Sequence, residues 1–284
     1  MNHAAKSKGE VAFHILGILA VSIALIALCA LLLDIITAGY SKLSIDFITN
    51  FPSRRPAQAG IAAALVGSLY LMVLTACFSL PLGVGAAIYL EEYAADNKFS
   101  KLIELNIANL AGVPSIIYGI LGLQLFVRYA NLERSLLAGA LTMSLLILPI
   151  IIIASREAIR RVPDSIRQAA FALGATKWEM IRDQVIPAAF PGIMTGCILA
   201  FSRAIGETAP LITLGALTYI AFLPDGLLSP FGALPIQAFN WISRPQAAFH
   251  ENAAGAIIVL LTLLLSMNIV AVILRGRFQK KFAV

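Results

Sequence analysis

Arg203 and Glu207 stand four residues apart inside an otherwise apolar run over residues 188–217. On a helix, that spacing puts both side chains on one face. A guanidinium carries a fork of donors that matches the oxygens of a tetrahedral oxyanion, and a carboxylate one turn away would hold its rotamer. The pair could instead be a structural ion pair that pins two helices together. Arg203 lies roughly 13–15 residues into the run, or ~20 Å at 1.5 Å per residue. A charge at that depth of a bilayer costs about 2.5–3.5 kcal/mol on insertion scales, so it is expected to face a bundle interior. Thr208 would add a hydroxyl, and Pro210 would free backbone carbonyls, as backbone lining a cavity often does. The second candidate is Gly112-Val113-Pro114-Ser115. Pro114 can break its helix and expose N–H groups that, with Ser115, would attract an anion. A kink needed only for packing is the simpler reading. Gly192 and Gly196 read as a close helix contact.

These residues need a scaffold, and composition names its solvent. The chain has 284 residues, 60% of them hydrophobic and 13% charged. Ordinary soluble domains run at about 45–50% and 25%. That much apolar surface excludes a soluble globule, and so little charge excludes disorder. Six stretches are long enough to cross a bilayer, at ~20 helical residues each. They cover residues 13–37, 61–90, 105–127, 136–154, 188–217 and 253–274. The first has a basic start, but its apolar stretch is too long for a leader core of about 7–15 residues, so it is kept as a span.

With the N-terminus placed in the cytoplasm, 14 of the 21 lysines and arginines fall inside and 6 outside, leaving Arg203 as the one within a span. The excess inside agrees with the positive-inside rule. The expected fold is therefore an all-α, multi-pass membrane protein of six transmembrane helices, both termini cytoplasmic. Outer segments are expected over 38–60 and 218–252, where Phe239 and Trp241 look like interfacial anchors. The net charge of +6 follows from this topology and does not point to nucleic acid. Cys29, Cys77 and Cys197 sit in apolar runs and read as small buried hydrophobes. No P-loop pattern is present, and His3, His14 and His250 are scattered without metal spacing. No nucleophile and base converge at membrane depth, which argues against an intramembrane enzyme. A self-sufficient secondary transporter would show internal repeats, and none is clear.

The inner loop over 155–187 is too long for a turn. Ser165 to Gln168 and Thr176 to Glu179 each fit a capping box. Gly174 is a helix stop between them, and Pro187 is expected to end the second helix. Trp178, Ile181 and Val185 fall on one apolar face, with Lys177, Glu179, Arg182 and Asp183 on the rest. Such a hairpin is either a cap on the bundle or a docking knob for a cytoplasmic partner.

Gln168-Ala169-Ala170, then Gly174, then Ile186-Pro187 resembles the EAA…G…LP loop of the permease subunits of ABC importers. One departure is Gln168, where that family has an acid. Val66-Gly67-Ser68-Leu69, Pro81-Leu82-Gly83, residues 87–93, residues 109–119 and Ala172 to Trp178 are similar to the phosphate-uptake branch. So are Arg203 to Leu211 and Asn240 to Gln246. The resemblance covers about residues 60–275. It implies a type-1 permease domain over 61–275, after an N-terminal tail, first span and outer loop over 1–60 and before a basic tail over 276–284. It implies a coupling loop carried by Gln168, Ala169, Ala170, Gly174, Thr176, Trp178 and Glu179. It implies a substrate path with Arg203, Glu207, Thr208 and Ser115 as candidates, and inorganic phosphate or a related oxyanion as cargo. The implied partners are a homologous permease, two ATP-binding subunits that use ATP and Mg, an extracytoplasmic phosphate-binding protein and membrane lipid. The chain itself would hold no cofactor or metal and catalyse nothing, in the inner (plasma) membrane of a bacterium.

Overall fold

The computed structural model describes residues 8–216 and 219–282. Lys6, at the basic start, and residues 217 and 218, where the fifth run was expected to end, lie outside them. Among the described residues there are helices and one isolated bridge, between Ser135 and Pro230. Helices dominate because lipid offers nothing to an unpaired backbone group.

Five helical stretches are long and apolar enough to cross a membrane, and a bent pair makes a sixth. The first is α1 (Lys8–Gly39), followed by the short helix α2 (Ile45–Thr49). Next come α3 (Ala62–Ile88), ending in a π-helical turn over Tyr89–Tyr93, and the pair α4 (Lys98–Ala111) and α5 (Ser115–Gly122). Helix α6 (Leu136–Arg160) leads into the loop expected on the inner side, made of α7 (Asp164–Ala172) and α8 (Lys177–Met180). Then follow α9 (Ile186–Gly206), α10 (Ala209–Leu214), α11 (Leu234–Ile242) and α12 (Ala247–Phe282).

Helix α6 is the centre of the bundle. Its Met143, Ile147, Ile151 and Ile159 are wholly buried, between α3 and α9. Gly192 and Gly196 of α9 lie directly against the Ala158 and Ala154 methyls of α6, so the expected close contact is present. Helix α1 is exposed along most of its length, and only its Gly39 end presses on the α12 backbone at Ala254 and Gly255. The expected outer segments pack together. Phe47 of α2, Trp241 of α11 and Phe249 of α12 form one apolar cluster, with ring centroids 6.0 and 6.4 Å apart on either side of the indole. Lys42 pairs with Glu251 at 3.0 Å, and Asn252 donates to the Pro56 carbonyl at 2.9 Å.

Several expectations are corrected. Trp241 is fully buried and is no interfacial anchor, whereas Phe239 is exposed. Cys29 and Cys77 are on the outer surface of the bundle; only Cys197 is buried. The third span is two helices bent by 102°. The fifth ends at Gly206, with α10 as a separate piece. Ser165 caps nothing, because α7 starts one residue earlier, after Pro163. Pro187 does not end a helix. A π-helical turn over Ile181–Val185 absorbs it, and helix continues from Lys177 to Gly206.

Candidate functional site

The two broken spans meet. Pro114 has no N–H for the Leu110 carbonyl, so α4 stops. That carbonyl is taken by the Val113 N–H at 3.1 Å and the Tyr118 hydroxyl at 2.8 Å. Ser115 opens α5 half-buried and makes no side-chain cap. One turn on, Gly119 lies against Thr213 and the Pro210 backbone of α10, where a Cβ would overlap both. Glycine is required there by the close approach. Pro210 in turn sits in the first turn of α10, after the chain leaves helix at Glu207 with φ −76° and ψ 122°.

Arg203 and Glu207 do pair, with Nε donating to Oε1 at 3.1 Å, even though Glu207 is no longer helical. Arg203 does not face the interior of the single chain. Its side chain is 43% exposed, against 18% for Glu207, so the guanidinium stands at an open face of the single chain. Thr208 is half-buried at the break. The break in the third span and the break in the fifth thus share one joint, with one cation at its edge.

The second group of residues forms the hairpin. Helix α7 ends as the sequence indicates. Gly174 has φ +85°, its N–H donates to the Phe171 carbonyl at 2.9 Å, and the Ala175 N–H reaches Ala170 at 3.1 Å, which is a Schellman stop. Thr176 and Glu179 close their capping box. The Thr176 N–H donates to Oε2 at 2.8 Å, and the Glu179 N–H donates to Oγ1 at 3.3 Å. Those hydrogen bonds from Thr176 hold the Glu179 carboxyl below the usual carboxylate range. Gln168 and Ala169 face outward and Ala170 is buried. The expected single apolar face is split. Ile181 and Val185 are wholly buried in the bundle, while Trp178 is 53% exposed. Exposed beside it are Phe171 and Leu173, the latter at 90%.

What the sequence did not single out is how this hairpin is held. Three consecutive residues of the π-helical turn after α3 each take a partner from the loop side. Glu91 accepts from Arg156 at 2.9 Å and from Arg160 at 3.0 Å. Glu92 accepts from Arg167 of α7 at 2.8 and 3.1 Å. Tyr93 lies under the Lys177 ammonium, 4.8 Å from the ring centroid. Arg167 also donates to the carbonyls of Ile159 at 3.1 Å and Val162 at 2.6 Å. The available signal was the Glu91-Glu92 pair at the end of one apolar run and Arg156 and Arg160 at i, i+4 after another.

Residues 79–284 match the family described as binding-protein-dependent transport system inner membrane component. A probable ABC transporter permease protein, YqgI of Bacillus subtilis, is 32% identical over 276 residues, covering 92% of this chain and 94% of that protein. The phosphate transport system permease protein PstA of Yersinia pestis is 35% identical over 254 residues, covering 88% and 83%. Among solved structures, a bacterial ABC transporter involved in import of the acidic polysaccharide alginate superposes with a TM-score of 0.69 at 15% identity, over 95% of this chain and 96% of the other. That likeness shows the fold. The chain belongs to the binding-protein-dependent transport system inner membrane component family, the permease subunits of ABC transporters.

Proposed function

We propose that this chain is one of two permeases of an ATP-driven phosphate importer and that Arg203 lines the path of the anion. The observation that carries the reading is the unbroken helix from Lys177 to Gly206, 30 residues long. It begins in the exposed hairpin and ends at the joint beside Arg203. A push on α8 is delivered along ~45 Å of rigid helix to the place where backbone pairing is already interrupted. The relatives named PstA support phosphate as the cargo. The open position of Arg203 supports a path shared with a second, PstC-like permease, which would supply another cation.

In this reading two PstB-like subunits hydrolyse ATP with Mg and receive the Phe171, Leu173 and Trp178 knob. A PstS-like phosphate-binding protein delivers its anion to the packed segments 38–60 and 219–252. The Glu207 carboxylate holds the Arg203 guanidinium in place; an arriving oxyanion takes the free donors of the fork, and Thr208 and Ser115 offer hydroxyls. Arg203→Ala should abolish uptake of radiolabelled phosphate by vesicles while the complex still assembles. Normal uptake by a stable mutant complex removes Arg203 from the path. Arg203→Lys is the finer test, because a point charge lacks the fork.

A further inference from the structure

A trough of about 350 Å³ lies between α3, α9 and α12, lined by Met72, Leu80, Met194, Phe201, Met267 and Ala271 among others. Helices α9 and α12 run antiparallel along it, clamped twice. Ser202 donates to Asn268 at 2.7 Å, and Arg275 Nη1 donates to Thr195 Oγ1 at 3.0 Å. The two clamps are seven residues apart on both helices, about two turns or ~10 Å. Asn268, the one polar residue of the lining, is thereby engaged.

Arg275 follows Ala271 by one turn, at the hairpin end of the trough. Thr195 takes one nitrogen, which leaves the Nε–Nη2 edge as a fork, and Nε is a buried donor with no acceptor. A desolvated guanidinium N–H without a partner calls for an anionic oxygen. Arg277, Lys280 and Lys281 follow within six residues. We propose that the trough holds an acyl chain of an anionic phospholipid whose phosphate is bound by Arg275.

A phospholipid matches both halves of the site, apolar walls and a basic end. A soluble phosphate would have to leave water for apolar walls. A lipid presents a phosphate and a chain together, and basic residues just beyond a membrane helix favour anionic headgroups. The proposal does not depend on the cargo of the transporter.

Native mass spectrometry of the detergent-solubilised complex, incubated with phosphatidylglycerol or phosphatidylcholine, tests it. The expected result is retention of phosphatidylglycerol about fivefold better, the weight of one basic side chain near an anionic leaflet. Arg275→Gln should erase that preference, Ala271→Trp should lose both lipids by filling the trough, and the exposed Arg277→Gln should keep the preference. An unchanged preference in Arg275→Gln overturns the proposal. So does displacement of the lipid by millimolar inorganic phosphate, which would make this a soluble-anion site. Disulfide capture of a second permease by Met267→Cys, in the lipid-loaded complex, would make the trough a subunit interface and also refute it.

Discussion

Removing the Arg167 side chain should loosen the α7–α8 hairpin by an amount that can be set from its contacts. Arg167 donates twice to Glu92 and once each to the carbonyls of Ile159 and Val162. Glu92 is only 7% exposed and Arg167 16%, so water cannot replace the lost partner. Stranding a buried charge costs about 3–5 kcal/mol. If that sum falls on local opening of α7 from the bundle, the amides of α7 and the Gly174 turn in Arg167→Gln should exchange with deuterium about two to four orders of magnitude faster than in the parent. Glu92→Gln together with Arg167→Gln should recover most of the protection, because no buried charge is left unpaired; Asp164, which also accepts from Arg167 at 3.2 Å, is exposed to water. Hydrogen exchange followed by peptide mass spectrometry reads all three proteins. Parent-like exchange in Arg167→Gln refutes the reasoning, and so does a double variant as labile as the single one.

Trp178→Asp should keep the fold, since the indole is exposed, yet uncouple ATP hydrolysis from uptake; phosphate released and phosphate imported, measured in the same vesicles, check it. Glu179 titrates below the usual carboxylate value in the folded hairpin. Its contribution to α8 is therefore complete above the unfolded value of about 4.3 and is lost as pH falls through the folded value. Acid should raise hairpin exchange in the parent and not in Glu179→Gln, whose amide still closes the capping box. Gly119→Val should separate α5 from α10, at about 1–3 kcal/mol for overpacking, and lower the thermal stability of the solubilised chain.

The legible features were those decided within a few residues. Lipid demands long apolar runs, and these were all readable. Thr176 and Glu179 cap one another across three residues, and Gly174 stops α7 by its own φ of +85°. Local signals failed where a neighbour changed their meaning. Ser165 lost its cap to the helix start set by Pro163, and Pro187 was absorbed by the π-helical turn before it. That same stretch separates the exposed Trp178 from the buried Ile181 and Val185. The break at Pro114 was visible, but the 102° bend was not. Its partner, the Gly119–Pro210 contact, lies far along the chain. Glu91 and Glu92 were passed over for the same reason, since Arg156 and Arg167 are 65 and 75 residues away from them.

The account rests on one guanidinium at the end of one lever. Uptake of radiolabelled phosphate by vesicles carrying the assembled complex, with and without Arg203→Ala, measures it most directly. The account predicts that the variant complex assembles, hydrolyses ATP and imports no phosphate. Import at the parent rate by an intact Arg203→Ala complex would contradict it.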